Sequence, residues 1–214
     1  MISKYRYKLE SLPLFLIASI ALIITPGPDI IYVLTRGISD GKRAGLLSAI
    51  GVTSGILFHT IAASLGLAFL LQTSVYAFWT LKIIGGSYLI YLGIQIIKNK
   101  NAFELNGSQQ HFDKKKCLIQ GFLSNVLNPK VALFFIAFLP QFVNVANPHH
   151  SIYMISYGLI FALMTIIFLT ILGIFAGVIG TWLHERNKIA GKIRLGSGAI
   201  LILLGFRLLV PQKH

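Results

Sequence analysis

The sequence predicts an all-α polytopic membrane protein, with six transmembrane helices arranged as two inverted three-helix repeats in a single transmembrane domain, residues 1–214. Three observations carry this. Hydrophobic residues make up 55% of the chain and charged residues 12%, with a mean hydropathy of +0.76; a soluble domain carries about twice that charge. Uncharged runs of bilayer-spanning length recur along the chain. Short segments of the first half reappear, in the same order, in the second.

The spans fall at Leu12–Leu34, Leu46–Leu71, Leu81–Ile97, Cys117–Phe142, Ile152–Ile179 and Leu195–Val210. The third and sixth are short for about 30 Å of hydrocarbon at 1.5 Å per residue. Lys4, Arg6 and Lys8 precede the first run as in a signal peptide, but the run continues to Leu34 without an A-x-A-like site. It reads as an uncleaved membrane helix. The lone Cys117 excludes an internal disulfide.

Charge placement gives an orientation. Arg36, Lys42 and Arg43; Lys98, Lys100, Lys114, Lys115 and Lys116; and Arg186, Lys188, Lys192 and Arg194 fall in loops one, three and five. Lys4, Arg6, Lys8, Lys82, Arg207 and Lys213 fall on the other side, and Lys130 lies within a span. The positive-inside rule therefore puts the three basic loops in the cytoplasm and both termini outside, with the basic N-terminus as a local dissent. The net charge of +13 fits contact with the lipid bilayer's anionic head groups. No aromatic-interleaved basic patch points to nucleic acid.

The repeat shows in two pairs. "IITPGPDIIYVL" (Ile23 to Leu34) matches "VLNPKVALFFIAF" (Val126 to Phe138), each with a polar residue before a mid-span proline: Thr25-Pro26 and Asn128-Pro129. "GSYLIYLGIQII" (Gly86 to Ile97) matches "GAILILLGFRLL" (Gly198 to Leu209), with glycines at Gly86/Gly93 and Gly198/Gly205. Repeat one covers about residues 12–98 and repeat two about 117–210. Three spans per half force the second half to enter the membrane inverted, an architecture whose site lies at the repeat interface on broken helices. Gly51/Gly55 and Gly173/Gly177 have GxxxG spacing, which reads as close helix packing.

Asp29, His59 and Lys130 are the ionisable side chains well inside spans. Each is costly in hydrocarbon and must face a cavity or a partner. Asp29 follows the helix break Pro26-Gly27-Pro28. The prolines withdraw backbone donors and free carbonyls of the preceding turn, making a place receptive to a proton or a primary ammonium. Lys130 follows Pro129 in the other half, beside Asn125 and Asn128. Two readings stand: a site for a small zwitterion, with Asp29 on its amino group and Lys130 on its carboxylate, or an ion pair that holds the halves in register. His59 reads equally as a proton relay or as a packed histidine bonded to Thr60 or Ser64. His149 and His150 read as solvated, and no metal site or cofactor is expected.

Enzyme motifs are absent: there is no H-E-x-x-H, G-x-S-x-G or P-loop. Ser19, Ser48, Ser54, Ser64 and Ser124 are span-borne serines, none in a nucleophile turn. The chain is therefore not expected to be an enzyme.

Together these features resemble the LysE/RhtB superfamily of amino-acid exporters. The resemblance rests on "TPGPD", "RGISDGKRAGLLSAIGVTSGILFH" (Arg36 to His59), "GGSYLIYLGIQIIK" (Gly85 to Lys98) and "GFLSNVLNPKVALFFIAFLPQFV" (Gly121 to Val143). It implies a bacterial inner-membrane secondary exporter of amino acids or derivatives, driven by proton antiport, and a homodimer; the sequence itself marks no interface. It places functional weight on Pro26, Gly27, Pro28, Asp29, Asn128, Pro129 and Lys130, and less on Gly51, Gly55 and His59. Many members resembling this chain carry asparagine where it has Asp29. The alternative is a three-plus-three transporter of another small solute, such as a metal cation or an organic acid.

Overall fold

The computed structural model describes residues 2–73, 75–98, 113–143, 147–179 and 187–210. These are mostly helical, interrupted by short breaks and turns, with no strand among the described residues. Loop residues 99–112 and 180–186, with Lys100 and Arg186, lie outside the description, as does Lys213.

The first apolar run becomes α1 (Ile2–Ile24) and α2 (Pro28–Ser39), bent by 51° at Thr25-Pro26-Gly27. Neither Pro26 nor Pro28 can donate to the preceding turn, so the helix stops and restarts with proline in its tolerated first position. The next helices are α3 (Lys42–Thr73) and α4 (Val75–Lys98). The fourth run becomes α5 (Lys114–Val126) and α6 (Pro129–Leu133), bent by 48°. The same logic applies at Pro129, and the Asn128 side chain caps α6 by accepting from Lys130 N. Beyond α6 the chain runs through a π turn, Phe134–Phe138, and a 3-10 turn, Leu139–Phe142. Then come α7 (His150–Ile174) and α8 (Asn187–Leu209).

Lys42–Gly66 and His150–Ile174 are long and apolar enough to cross a membrane, and four segments qualify if each bent pair is one span. Ile83–Lys98 and Gly198–Arg207 are shorter apolar stretches within α4 and α8. Exposed Leu57, Ile61, Leu65, Leu159, Leu163, Ile167 and Ile171 line the outward faces of α3 and α7, where lipid rather than water is the compatible solvent. The chain is a multi-pass membrane protein.

Backbones approach closely where glycines meet. A Cβ on Gly51 would sit 2.3 Å from Leu118 O, and one on Gly55 2.7 Å from Asn125 Cβ, so α3 and α5 run in the same direction. Gly45 packs on Gly173, and Gly158 on Thr60, so α7 runs against α3. Gly51, Gly55 and Gly173 thus each lie where an added Cβ would press on a neighbouring helix. Gly177 differs: a Cβ there would meet nothing within 4 Å. In the α4–α8 pair, Gly86 lies on Gly205 and Gly93 on Gly198. These are the glycines that the internal match makes equivalent, exchanged as a two-fold axis would exchange them.

The end of the molecule beyond α6 is sealed by aromatic rings. Phe15 lies 4.6 Å from Tyr157 and 5.3 Å from Phe142, and Phe134 lies 5.0 Å from Phe161, centroid to centroid. The opposite end, where α2 ends and α5 begins, is tied by polar groups. Arg36 Nη1 donates to Asp40 Oδ2 and Nη2 to Gln120 Oε1, both at 2.6 Å. Tyr32 Oη donates to Cys117 O at 3.1 Å. Arg36, assigned above to the first basic loop, is instead buried on α2, since that helix runs on to Ser39.

Candidate functional site

The two breaks meet, and each closes the other's exposed backbone. In α1 the carbonyl of Leu22 loses its helical donor because residue 26 is proline. Lys130 Nζ, arriving from α6, donates to Leu22 O at 3.1 Å and to Thr25 O at 2.9 Å. The place receptive to a primary ammonium thus exists, and the chain's own lysine occupies it. Gly27 makes room: its backbone is extended (φ −173°), which any residue adopts, but a Cβ there would sit 3.1 Å from Lys130 Nζ.

In α5 the carbonyl of Asn125 loses its helical donor to Pro129 by the same rule. His59 Nε2 lies 3.2 Å from Asn125 O, and Asn128 N donates to it at 2.9 Å. Facing a carbonyl, Nε2 must carry the proton. His59 does not bond Thr60 or Ser64. Those hydroxyls donate within their own helix, to Ile56 O and Ile61 O, the usual competition for a helical hydroxyl.

Asp29 is held by amides. Asn125 Nδ2 donates to Oδ2 at 2.8 Å and Asn128 Nδ2 at 3.0 Å, while Ser124 Oγ approaches Oδ1 at 3.4 Å. Asp29, His59, Asn125, Asn128 and Lys130 are all buried. The structure therefore brings together all five expected polar residues and the four break residues. It does not join Asp29 to Lys130 directly: among the described residues the ion pair is Arg36–Asp40. A carboxylate bound by two amides and an ammonium bound by two carbonyls have each been given neutral partners, the condition for burying charge without contact pairing.

Ser124 was visible in the sequence only as one serine among five; here it belongs to the Asp29 shell. Tyr88 and Gln95 of α4 were not singled out at all. They line, with Gly27, Asn128 and Lys130, a cavity of about 300 Å³ between the breaks and α4. That is at the lower end of small-ligand sites. A second cavity of about 20 Å³ lies on the far side of Lys130, beside Asp29 and Thr165.

Broken helices that carry buried charges, beside a ligand-sized cavity in a membrane-embedded fold, are the parts of a solute carrier. The model of the LysE type translocator family matches residues 20–212. The chain belongs to the LysE type translocators. An uncharacterized membrane protein of Bacillus subtilis is 30% identical over 89% of this chain and 97% of its own length. An uncharacterized membrane protein of Pseudomonas aeruginosa is 28% identical over 91% and 92%. A homoserine/homoserine lactone efflux protein of Salmonella typhimurium is 28% identical over 94% and 96%. No solved structure matches significantly. The hydrogen bond described for His59 goes to Asn125 O, not to a serine.

Proposed function

We propose that this LysE type translocator exports amino acids or their derivatives across the bacterial inner membrane by proton antiport. Its six spans are arranged as two inverted repeats, with both termini outside. The observation that carries the reading is the mutual closure of two proline breaks around buried Asp29 and Lys130, against a cavity of amino-acid size. The Salmonella efflux protein, matched along nearly its whole length, supports homoserine and its lactone as the first solutes to try. The exchange of Gly86/Gly93 with Gly205/Gly198 across the α4–α8 pair supports the repeat.

Lys130 offers its ammonium to a solute carboxylate at the larger cavity, where Gln95 and Tyr88 of α4 add hydrogen-bonding groups. The test is flux in liposomes containing the purified chain under an imposed pH gradient. Homoserine, threonine, leucine or lysine should move faster than in protein-free vesicles. If none of the standard amino acids, homoserine or its lactone does so while an organic acid or a divalent cation does, the export reading is wrong and the alternative solute class replaces it.

A further inference from the structure

Among the described residues, Lys130 alone lines both cavities of the cluster. The larger reaches Gly27, Asn128, Tyr88 and Gln95; Asp29 borders only the smaller, with Ile56 and Thr165. A solute in the larger cavity therefore meets the ammonium without meeting the carboxylate. The smaller cavity, about 20 Å³, exceeds the roughly 10–15 Å³ that one water needs and is far too small for an amino acid.

Its polar lining has bonding capacity left. Lys130 uses two of its three N–H groups on Leu22 O and Thr25 O. Asp29 Oδ1 has only the long 3.4 Å contact from Ser124. Thr165 donates its proton to Phe161 O at 2.8 Å, which leaves its oxygen able to accept. Three such partners are what a buried water requires.

We infer that the two faces of Lys130 serve different ligands: the larger cavity takes the solute, and the smaller holds one water that carries protons between Lys130 and Asp29. The step balances as one proton leaving the ammonium and one arriving at the carboxylate through that water, giving an amine and a carboxylic acid, or the reverse. Around Asp29 the titratable groups are Lys130 on α6 and His59 on α3, whose Nε2 is engaged by Asn125 O. On this side α5 supplies Ser124 and Asn125, and α7 supplies Thr165, none of which titrates near neutrality. Asp29 is then the proton site, not the ligand for the solute's amino group expected from sequence. This assignment rests on the transport reading above.

The test uses the full chain in liposomes and two assays: exchange of labelled for unlabelled homoserine without a pH gradient, and accumulation driven by one. D29N should lose roughly tenfold more of the driven accumulation than of the exchange. T165V, which touches neither Asp29's amides nor the larger cavity, should lower driven accumulation alone, by about threefold or more. Y88A should slow exchange. D29N losing exchange and accumulation together, while melting like wild type, makes Asp29 a solute ligand and overturns the assignment. So does T165V that accumulates normally, whatever the behaviour of D29N. A wild-type chain that exchanges no amino acid contradicts the transport reading itself, a result separable from either.

Discussion

At the first break Pro26 strips the carbonyl of Leu22 of its helical donor, and a single charged side chain, Lys130, replaces it. At the second, Pro129 does the same to Asn125, and two donors replace it: His59 Nε2 and the backbone N–H of Asn128. The first closure comes from a flexible side chain that also borders two cavities. The second is redundant and partly backbone. Similar sequence devices have thus been given unequal duties. The first break depends on a group that a ligand can draw away, whereas the second stays closed if one donor leaves. On the transport reading proposed above, that inequality assigns the first break as the part that moves and the second as its support.

Substitutions can separate the two. K130M strips Leu22 O and Thr25 O of their donor and leaves Asp29 without its nearest cation, a change that costs about 3–5 kcal/mol when half of a buried charge arrangement is removed. The melting temperature in detergent should fall by many degrees. G55A strikes the support: its Cβ would lie 2.7 Å from Asn125 Cβ and 3.0 Å from Phe122 O. Such overpacking costs about 1–3 kcal/mol, and the displaced Asn125 should loosen its bond to Asp29, read as a lower melting temperature with reduced flux. H59F removes one of two donors to Asn125 O and should cost only about 1 kcal/mol, with H59Q between it and wild type. An H59F chain as unstable as K130M would mean the breaks are equivalent. G27A should be mildest in stability, under about 1 kcal/mol, because the neighbour of its Cβ is the mobile end of Lys130. It should nonetheless slow flux, since the ammonium must shift on its carbonyls.

The breaks themselves were legible in the sequence because proline lacks an N–H wherever it stands, and mid-span prolines beside Asp29 and Lys130 have few other uses. The apolar runs gave the helices for the same kind of reason. What closes each break was not legible. Lys130 reaches back 108 residues to Leu22, and Asn128 reaches 99 to Asp29. No local spacing encodes such pairs. The sequence also treats all Lys and Arg alike, so Arg36 was counted with the loop although it is buried against Asp40 and Gln120. Glycine pairs told a similar story. GxxxG spacing picked out Gly51, Gly55 and Gly173. It could not find Gly158, whose contact is Thr60, because no glycine stands four residues from it on either side.

Flux through K130M and the double variant D29N/K130M tests the central claim most directly. Removing both charges avoids the uncompensated one, so the double variant should recover most of the stability lost in K130M. Both should still move homoserine no faster than protein-free liposomes, because the ammonium that meets the solute is gone. A double variant that is as stable as wild type and moves homoserine at the wild-type rate would contradict the claim that Lys130 carries transport.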